Sequence, residues 1–426
     1  MLTKLENRFN IIFIKLIGAC NLLPIQVRDT EEETISTPSP NITNCEPPNP
    51  EDSPTDNITT KKFRKVAQKS IQITLQTSKW RIWMWKLFFG TYILQGIYIN
   101  ARLAQSILFE KKWNINHLAV HLLWVLYAFV LQSWSYFSFV KWPQYSVGIF
   151  NELIRKLPVE RVGQGRKWFQ LNKQELMAKY IGLNTYSAII PMMTLLAWDD
   201  TRIQLFYSAL PPEWKSRTTF LVCLVPEGVC VIHFFTIAFF IFSLHLMFFE
   251  MVNGELKSVG AAVTSRSSKN EFTIRDALMT CKTVREMQLL IQLFNQSNCF
   301  IIFTYKIMGI VASIIGGFFA IRYTYSDPLL GVVCMVIALD SVSFFPLTYE
   351  RAFLIPDHMR RLKDQLRIVT QKHTSQALRA LEVAKIIHSV PKVGVKIGNF
   401  HTMKRETTPV FIHYIVYQLA SLLVAF

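Results

Sequence analysis

No pair of cysteines in this chain has the spacing of a metal site, and none lies where an extracellular disulfide framework would need it. Cys20, Cys45, Cys223, Cys230, Cys281, Cys299 and Cys334 are scattered, with no CxxC and no Cys/His cluster. That sets aside disulfide scaffolds and structural zinc. Charge is scarce as well: 18% of residues are charged against 51% hydrophobic, the balance of a polytopic membrane protein. Acidic residues are the scarcer sign, leaving a formal net charge of +17. This surplus does not point to nucleic acid, because no basic patch with base-stacking aromatics stands apart from the apolar stretches. No catalytic constellation and no internal repeat of the transporter kind is present. Neither an enzyme activity nor a cofactor is expected.

What is present is a set of seven long apolar stretches, at 82–101, 116–140, 181–198, 219–249, 298–321, 328–348 and 408–426. Each has about the twenty residues that a bilayer-crossing helix needs. If they alternate, the flanks and loops 60–87, 141–180, 251–297 and 350–405 share one side and carry 34 Lys and Arg. The other side, 102–115, 199–217 and 322–327, carries 7. Excess positive charge marks the cytoplasmic side, so the N-terminus is expected inside and the C-terminus outside. Anionic lipid headgroups are the natural partners of the basic loops. The expected fold is an all-α membrane protein of seven transmembrane helices, multi-pass in the plasma membrane.

The remaining segments divide readily. Residues 1–27 read as a membrane-surface amphipathic segment; Lys15 interrupts the apolar run, which argues against a signal peptide. Residues 28–80 read as a disordered linker rich in Pro, Ser and acidic residues, with a basic flank. Asn41 and Asn57 begin glycosylation acceptor patterns there, expected to stay unmodified on the cytoplasmic side. Residues 81–426 are expected to form the seven-helix transmembrane domain, with cytoplasmic extensions at 250–297 and 350–407. From the end of the fourth span into those extensions apolar residues recur at helical spacing: Leu244, Phe248, Val252, Leu256 and Val259; Ile274, Leu278, Cys281, Val284 and Met287; Met359, Leu362, Leu366 and Val369. Such stripes imply helices that continue out of the membrane and bundle. Pro391, Gly394 and Gly398 interrupt the approach to the last span, and the chain stops at Phe426, flush with its expected outer end.

Four short segments carry a resemblance. They are Lys15-Leu-Ile-Gly-Ala-Cys-Asn-Leu-Leu-Pro24, Phe248-Phe-Glu-Met-Val-Asn-Gly-Glu-Leu256, Leu290-Ile-Gln-Leu-Phe-Asn-Gln-Ser-Asn-Cys-Phe300 and Gly398-Asn-Phe400. In them the chain resembles the arthropod gustatory receptor family of the insect chemoreceptor superfamily, as a divergent member. The family signature in the last helix, Thr-Tyr, five apolar residues and Gln-Phe, is kept by identity only at Phe426. The resemblance implies a chemosensory, ligand-gated cation channel, assembled as a homo- or hetero-tetramer. The seventh helix of each subunit would line one central pore, and the cytoplasmic helix ends would form a common anchor. A small-molecule tastant or odorant would bind among the second to sixth helices.

Two sets of residues follow. For the pore, Tyr414, Gln418 and Ser421 share one helix face and could replace part of a cation's hydration shell, while Leu422 and Ala425 could form an apolar gate. The alternative has them bonding to neighbouring helices. For the ligand pocket, the intramembrane carboxylates Glu227 and Asp340 stand beside His121, Trp124 and Tyr127 as a few polar groups among aromatic walls. The alternative makes the carboxylates interhelical contacts, and His117 and His121 interfacial residues. Those two histidines, four apart, lack a third metal ligand nearby. A G-protein-coupled-type receptor would need the opposite orientation, and an odorant-receptor-like subunit would share the same layout.

Overall fold

Three helices, each more than twice as long as a bilayer core is thick, organise the chain. The computed structural model describes residues 22–32, 68–109, 115–156, 205–269, 272–372, 385–389, 391 and 393–425, with single positions at 176, 180, 189, 193 and 197. In chain order the elements are β1 (Ile25–Glu32), β2 (Gln68–Leu75), α1 (Lys79–Phe109), α2 (Ile115–Ser135), α3 (Pro143–Lys156), α4 (Arg217–Ser268), α5 (Ile274–Tyr323), α6 (Pro328–Lys372), β3 (Lys396–Ile397), β4 (His401–Thr402) and α7 (Thr407–Ala425). A π-helical turn, Tyr136–Lys141, joins α2 to α3. By length and composition, five helices among the described residues suffice to cross a membrane: His121–Lys141, Arg217–Ser268, Ile274–Tyr323, Leu330–Gln371 and Thr407–Ala425. The 31-residue α1 falls outside this set, its hydropathy diluted by Gln95, Asn100 and Arg102. Apart from the single positions, the expected third span at 181–198 lies outside the described residues. The protein is a mostly helical, multi-pass membrane protein.

Helices α4, α5 and α6 contain 52, 50 and 45 residues, or about 78, 75 and 68 Å at 1.5 Å per residue. A hydrocarbon core is about 30 Å thick, so each helix continues well beyond it, as the apolar stripes require. Local chemistry sets where they start. Ser216 Oγ accepts from the Thr219 N–H at 3.1 Å to cap α4. Thr273 and Asp276 form a reciprocal capping box on α5. The Thr273 N–H and hydroxyl, and then Arg266, hold the Asp276 carboxyl below its ordinary value.

The core runs along α4, buried without a break from Phe239 to Phe249. A helix apolar all round belongs in the middle of a bundle. At its centre Phe248 stacks on Phe294 of α5, ring centroids 3.9 Å apart. One turn earlier lies a buried polar junction. Asn298 gives its amide hydrogens to Phe294 O and Ser297 Oγ, leaving Oδ1 to accept from His245 Nε2 at 3.1 Å. With that nitrogen carrying the proton, His245 Nδ1 accepts from the Tyr349 hydroxyl at 3.0 Å. One histidine thus ties α4 to α5 and α6 with every polar atom engaged. Two turns further on, Asn253 repeats the tie to α6, donating to Arg351 O and accepting from His358 Nδ1, both at 2.8 Å.

Three segments depart from the expectations. The chain is not all-α, since two small antiparallel sheets are present, β1 with β2 and β3 with β4. The ends of the expected 28–80 linker are ordered: 28–32 pairs with 68–72, and α1 already begins at Lys79. Its middle, 33–67, lies outside the described residues, as does 1–21 of the amphipathic segment. The end of that segment is not on a surface, for Leu23 and Ile25 are fully buried. Asn151 of α3 explains the hairpin's place, because its amide accepts from Ile73 N at 2.8 Å and donates to Ile73 O at 2.7 Å. Helix α3 itself was read as part of a loop; it buries Ser146, Val147, Ile149, Phe150 and Leu153 on one stripe.

The stretch 391–403 is strapped to α5. Gln288 donates to Pro391 O, Asn295 brackets Gly394 O and Lys396 N at 2.9 and 2.8 Å, and Gly398 N donates to Cys299 O at 2.8 Å. Gly398, at φ 58°, turns the chain between β3 and β4, a conformation costly for other residues. Helix α7 leaves from this strap, with Pro409 in its first turn, where a proline is tolerated.

Outside the membrane-crossing part of α6, burial and then the cations Lys257 and Arg361 hold His358 below its ordinary value. The unfolded chain therefore takes up this proton first. The stability His358 contributes is complete above the ordinary value of about 6.5 and is lost as pH falls from there through the lowered folded value. Measured from pH 7.5 to 5 in detergent, His358→Gln is expected to show a shallower fall in thermal midpoint than the parent. Superimposable pH profiles would refute the assignment.

Candidate ligand cavity and terminal helix

A cavity of about 140 Å³ opens between α2, α4, α5 and α6. Its wall is a cluster of rings set edge to face. Phe242 lies at the centre, its centroid 5.0 Å from Phe344, 5.1 Å from Tyr305 and 5.5 Å from Trp134, at angles of 72 to 86°. This is the arrangement that aromatic quadrupoles favour. Trp134 is held in place by its indole N–H, which donates to Thr304 Oγ1 at 3.0 Å. Phe234 and Tyr127 continue the wall. The polar groups are few: the Tyr127 and Tyr305 hydroxyls, Ser341, and the Asp340 carboxylate, which is exposed at the edge of the cavity. An apolar concavity with a handful of polar groups is the usual form of a small-molecule site.

The five pocket residues expected from the sequence separate here. Tyr127 and Asp340 both line the cavity, brought together from α2 and α6. Trp124 stands next to it, its ring parallel to Phe234 at 6.4 Å, and lines a smaller void with Gln95 and Cys230. Glu227 does not reach the cavity. Its carboxylate, only 2% exposed, accepts from the Gln95 amide of α1 and from the Phe206 N–H at 3.0 Å. It ties α1 to α4 and also fixes the Phe206–Ala209 turn. His121 likewise ties helices, its Nε2 lying 2.9 Å from Ile99 O. The His117 side chain lies outside the described residues.

Several cavity residues were not singled out from the sequence: Trp134, Phe234, Phe242, Tyr305 and Phe344. Each is one aromatic among the 13% of this chain, and no spacing along one helix marks them, since they come from four. Lys306, half-buried within the fifth span and next to the cavity-lining Tyr305, was also passed over.

Helix α7 is packed on one side only. Phe411 and Ile415 are buried, and Leu419 lies against Gly317, where an added Cβ would come within 2.9 Å of it. Of the expected pore residues, Tyr414, Ser421 and Ala425 are exposed, and Gln418 and Leu422 are half-buried at the margin of the packed stripe. Tyr417, on the same open side as Ser421, is 61% exposed. The Ser421 hydroxyl donates to Tyr417 O at 2.9 Å, which leaves its lone pairs outward. At its base α7 touches the back of the cavity. Phe411 stacks on Phe345 at 5.0 Å, beside the cavity-lining Phe344, and a Cβ on the cavity-lining Gly309 would meet the Phe411 ring at 3.5 Å.

No protein-family model matches this chain, and no curated protein matches it. Among solved structures its fold is similar to that of the insect olfactory receptor OR5 from Machilis hrabei, at 13% identity and a TM-score of 0.59. The likeness covers 82% of this chain and 90% of that one. The same receptor in complex with eugenol is similar at 14% identity and a TM-score of 0.58, covering 82% and 91%.

Because Glu227 satisfies one buried and one part-buried donor, Glu227→Ala leaves both without it, at a cost of about 1–3 kcal/mol for the buried one. A drop of several degrees in the thermal midpoint of the solubilised protein is expected. Glu227→Gln, which can still accept one bond, falls less. Equal midpoints for parent and alanine variant would show that the tie contributes nothing.

Proposed function

We propose that this chain is a chemosensory receptor of the insect chemoreceptor superfamily, of the gustatory branch, acting as a ligand-gated cation channel in the plasma membrane. The observation that carries the proposal is the one-sided packing of α7. It is about 28 Å long, 19 apolar-rich residues of which only 11% of the most apolar window is buried. Its open side carries His413, Tyr414, Tyr417 and Ser421. Polar groups facing lipid are costly, and in a membrane they turn toward other helices or a water-filled path. Four copies of α7 around one axis would satisfy both needs, with Tyr414, Gln418 and Ser421 toward the ion path and Leu422 and Ala425 at its narrow end. The similarity in fold to an insect olfactory receptor supports this arrangement.

The charge distribution supports the orientation, seven crossings with the N-terminus in the cytoplasm and the C-terminus outside. The far ends of α4, α5 and α6, and the strap at 391–403, then stand in the cytoplasm as the anchor shared by the subunits. The cavity receives a small organic ligand, in keeping with the eugenol complex of the similar receptor. Gating follows from the contacts behind the cavity. A ligand that prefers a wider cavity displaces α5 and α6 at Gly309 and Phe344, and Phe411 carries that displacement to α7. The ligand acts only through its higher affinity for the open form. A G-protein-coupled-type receptor would place the basic segments outside and is disfavoured by the same charge split.

Two experiments test this. An epitope tag after Phe426 is expected to stain cells that have not been permeabilised, and whole-cell current is expected under a ligand panel without added G protein. Staining only after permeabilisation would rule out the orientation and the pore with it. Separately, Phe411→Ala is expected to reduce the maximal ligand-evoked current at least severalfold while ligand binding to the purified protein changes less than twofold. Parallel loss of binding and current would mean that Phe411 supports the cavity and not the coupling.

A further inference from the structure

We infer that the cavity selects organic cations, small amines carrying one ring or a short branched chain, with Asp340 as their counter-ion. The inference rests on the reading of this cavity as the ligand site. Asp340 stands twelve residues into α6, about 18 Å along the helix, within the sixth span. A carboxylate at that depth is ordinarily matched by a cation or turned to water. Here its neighbours among the described residues are the hydroxyls of Tyr180, Tyr127 and Tyr305, and no cation faces it. Lys306, which follows Tyr305 in the chain, is not among the described residues that line the cavity.

The walls favour the same ligand. Phe234, Phe242, Phe344, Tyr305 and Trp134 line the same space as Asp340. Aromatic faces attract a cation within about 6 Å of their centroids, and most strongly when water is excluded. An inorganic divalent cation would need six or more oxygen ligands in the calcium case, and the described residues of this wall offer one carboxylate and a few hydroxyls. An ammonium group needs only one anion and π-faces around its alkyl substituents. Size sets the upper bound. A cavity of about 150 Å³ holds a benzene molecule, so about 140 Å³ admits one ring with its amino head at the rim.

The test uses the full chain reconstituted in lipid nanodiscs and two nearly isosteric probes, 2-phenylethylamine and 2-phenylethanol, with binding read by calorimetry and current read in expressing cells. The amine is expected to bind roughly tenfold or more tightly than the alcohol, the scale of one hydrogen bond to a charged group. Asp340→Asn keeps the volume and is expected to bring the two probes within about twofold by weakening the amine alone, while Asp340→Glu retains the preference. Equal affinity in the parent, equal weakening of both probes in Asp340→Asn, or no binding of either probe would each overturn the inference. The underlying reading fails differently. Selective amine binding without any evoked current overturns the channel and leaves the ligand class standing, whereas current evoked by neutral probes alone does the reverse.

Discussion

The bond that most of this architecture depends on is the one through the His245 ring. Its two nitrogens reach Asn298 on α5 and Tyr349 on α6, so three helices share a single fixed register. A buried polar group that lost its partner there would cost more than the bond itself contributes, which makes sliding of one helix past the others expensive. The Phe248 and Phe294 stack packs directly against this junction, and Asn253 repeats the tie two turns on. The cavity sits just on the other side, with Phe242 one turn before His245 and Tyr305 two turns after Asn298. Its floor is therefore the best-determined part of the molecule. Any adjustment to an occupant must come from the opposite end, toward Phe234, Gly309 and Asp340.

That asymmetry bears on the coupling of the cavity to α7. The terminal helix leaves from a strap pinned to α5 at three levels by Gln288, Asn295 and Cys299. It then contacts the back of the cavity through Phe411 and rides close over Gly317. Beyond that point Val424 is 90% exposed. On the channel reading, the helix is fixed at one end, pushed near its base and unconstrained within the subunit at the other. A small displacement at Gly309 is then amplified along its length.

The sequence made the long helices legible because their apolar stripes persist past any span, as Leu256 and Leu366 show at a distance from the membrane. It made the special backbone at Gly398 legible as an interruption, though not the hairpin that Gly398 turns. Other features were hidden because their partners are remote. The β1 and β2 pairing depends on Asn151 reaching Ile73, 78 positions away, and reads as polar linker when each end is viewed alone. Glu227 drew attention as a carboxylate within an apolar stretch. What could not be read was Gln95, 132 positions earlier, which turns a suspected ligand contact into a structural tie. Asp340 has the same local signature but lies at the cavity with the Tyr180 hydroxyl beside it, and only the packed structure separates the two. The aromatic wall was illegible for a different reason. Each ring is ordinary on its own helix, and their convergence is a property of how α2, α4, α5 and α6 cross.

The disparity in helix length has a consequence of its own. Helices α4, α5 and α6 are tens of ångströms longer than a bilayer core is thick, so a thicker or thinner membrane merely shifts where lipid ends along them. Helix α7 matches a single leaflet-to-leaflet distance and has neighbours on one side alone. Hydrophobic mismatch, which tilts or strains a helix to fit its surroundings, would fall almost wholly on that one element. Sterol content or acyl-chain length would thereby set the resting tilt of α7 without disturbing the scaffold that holds the cavity.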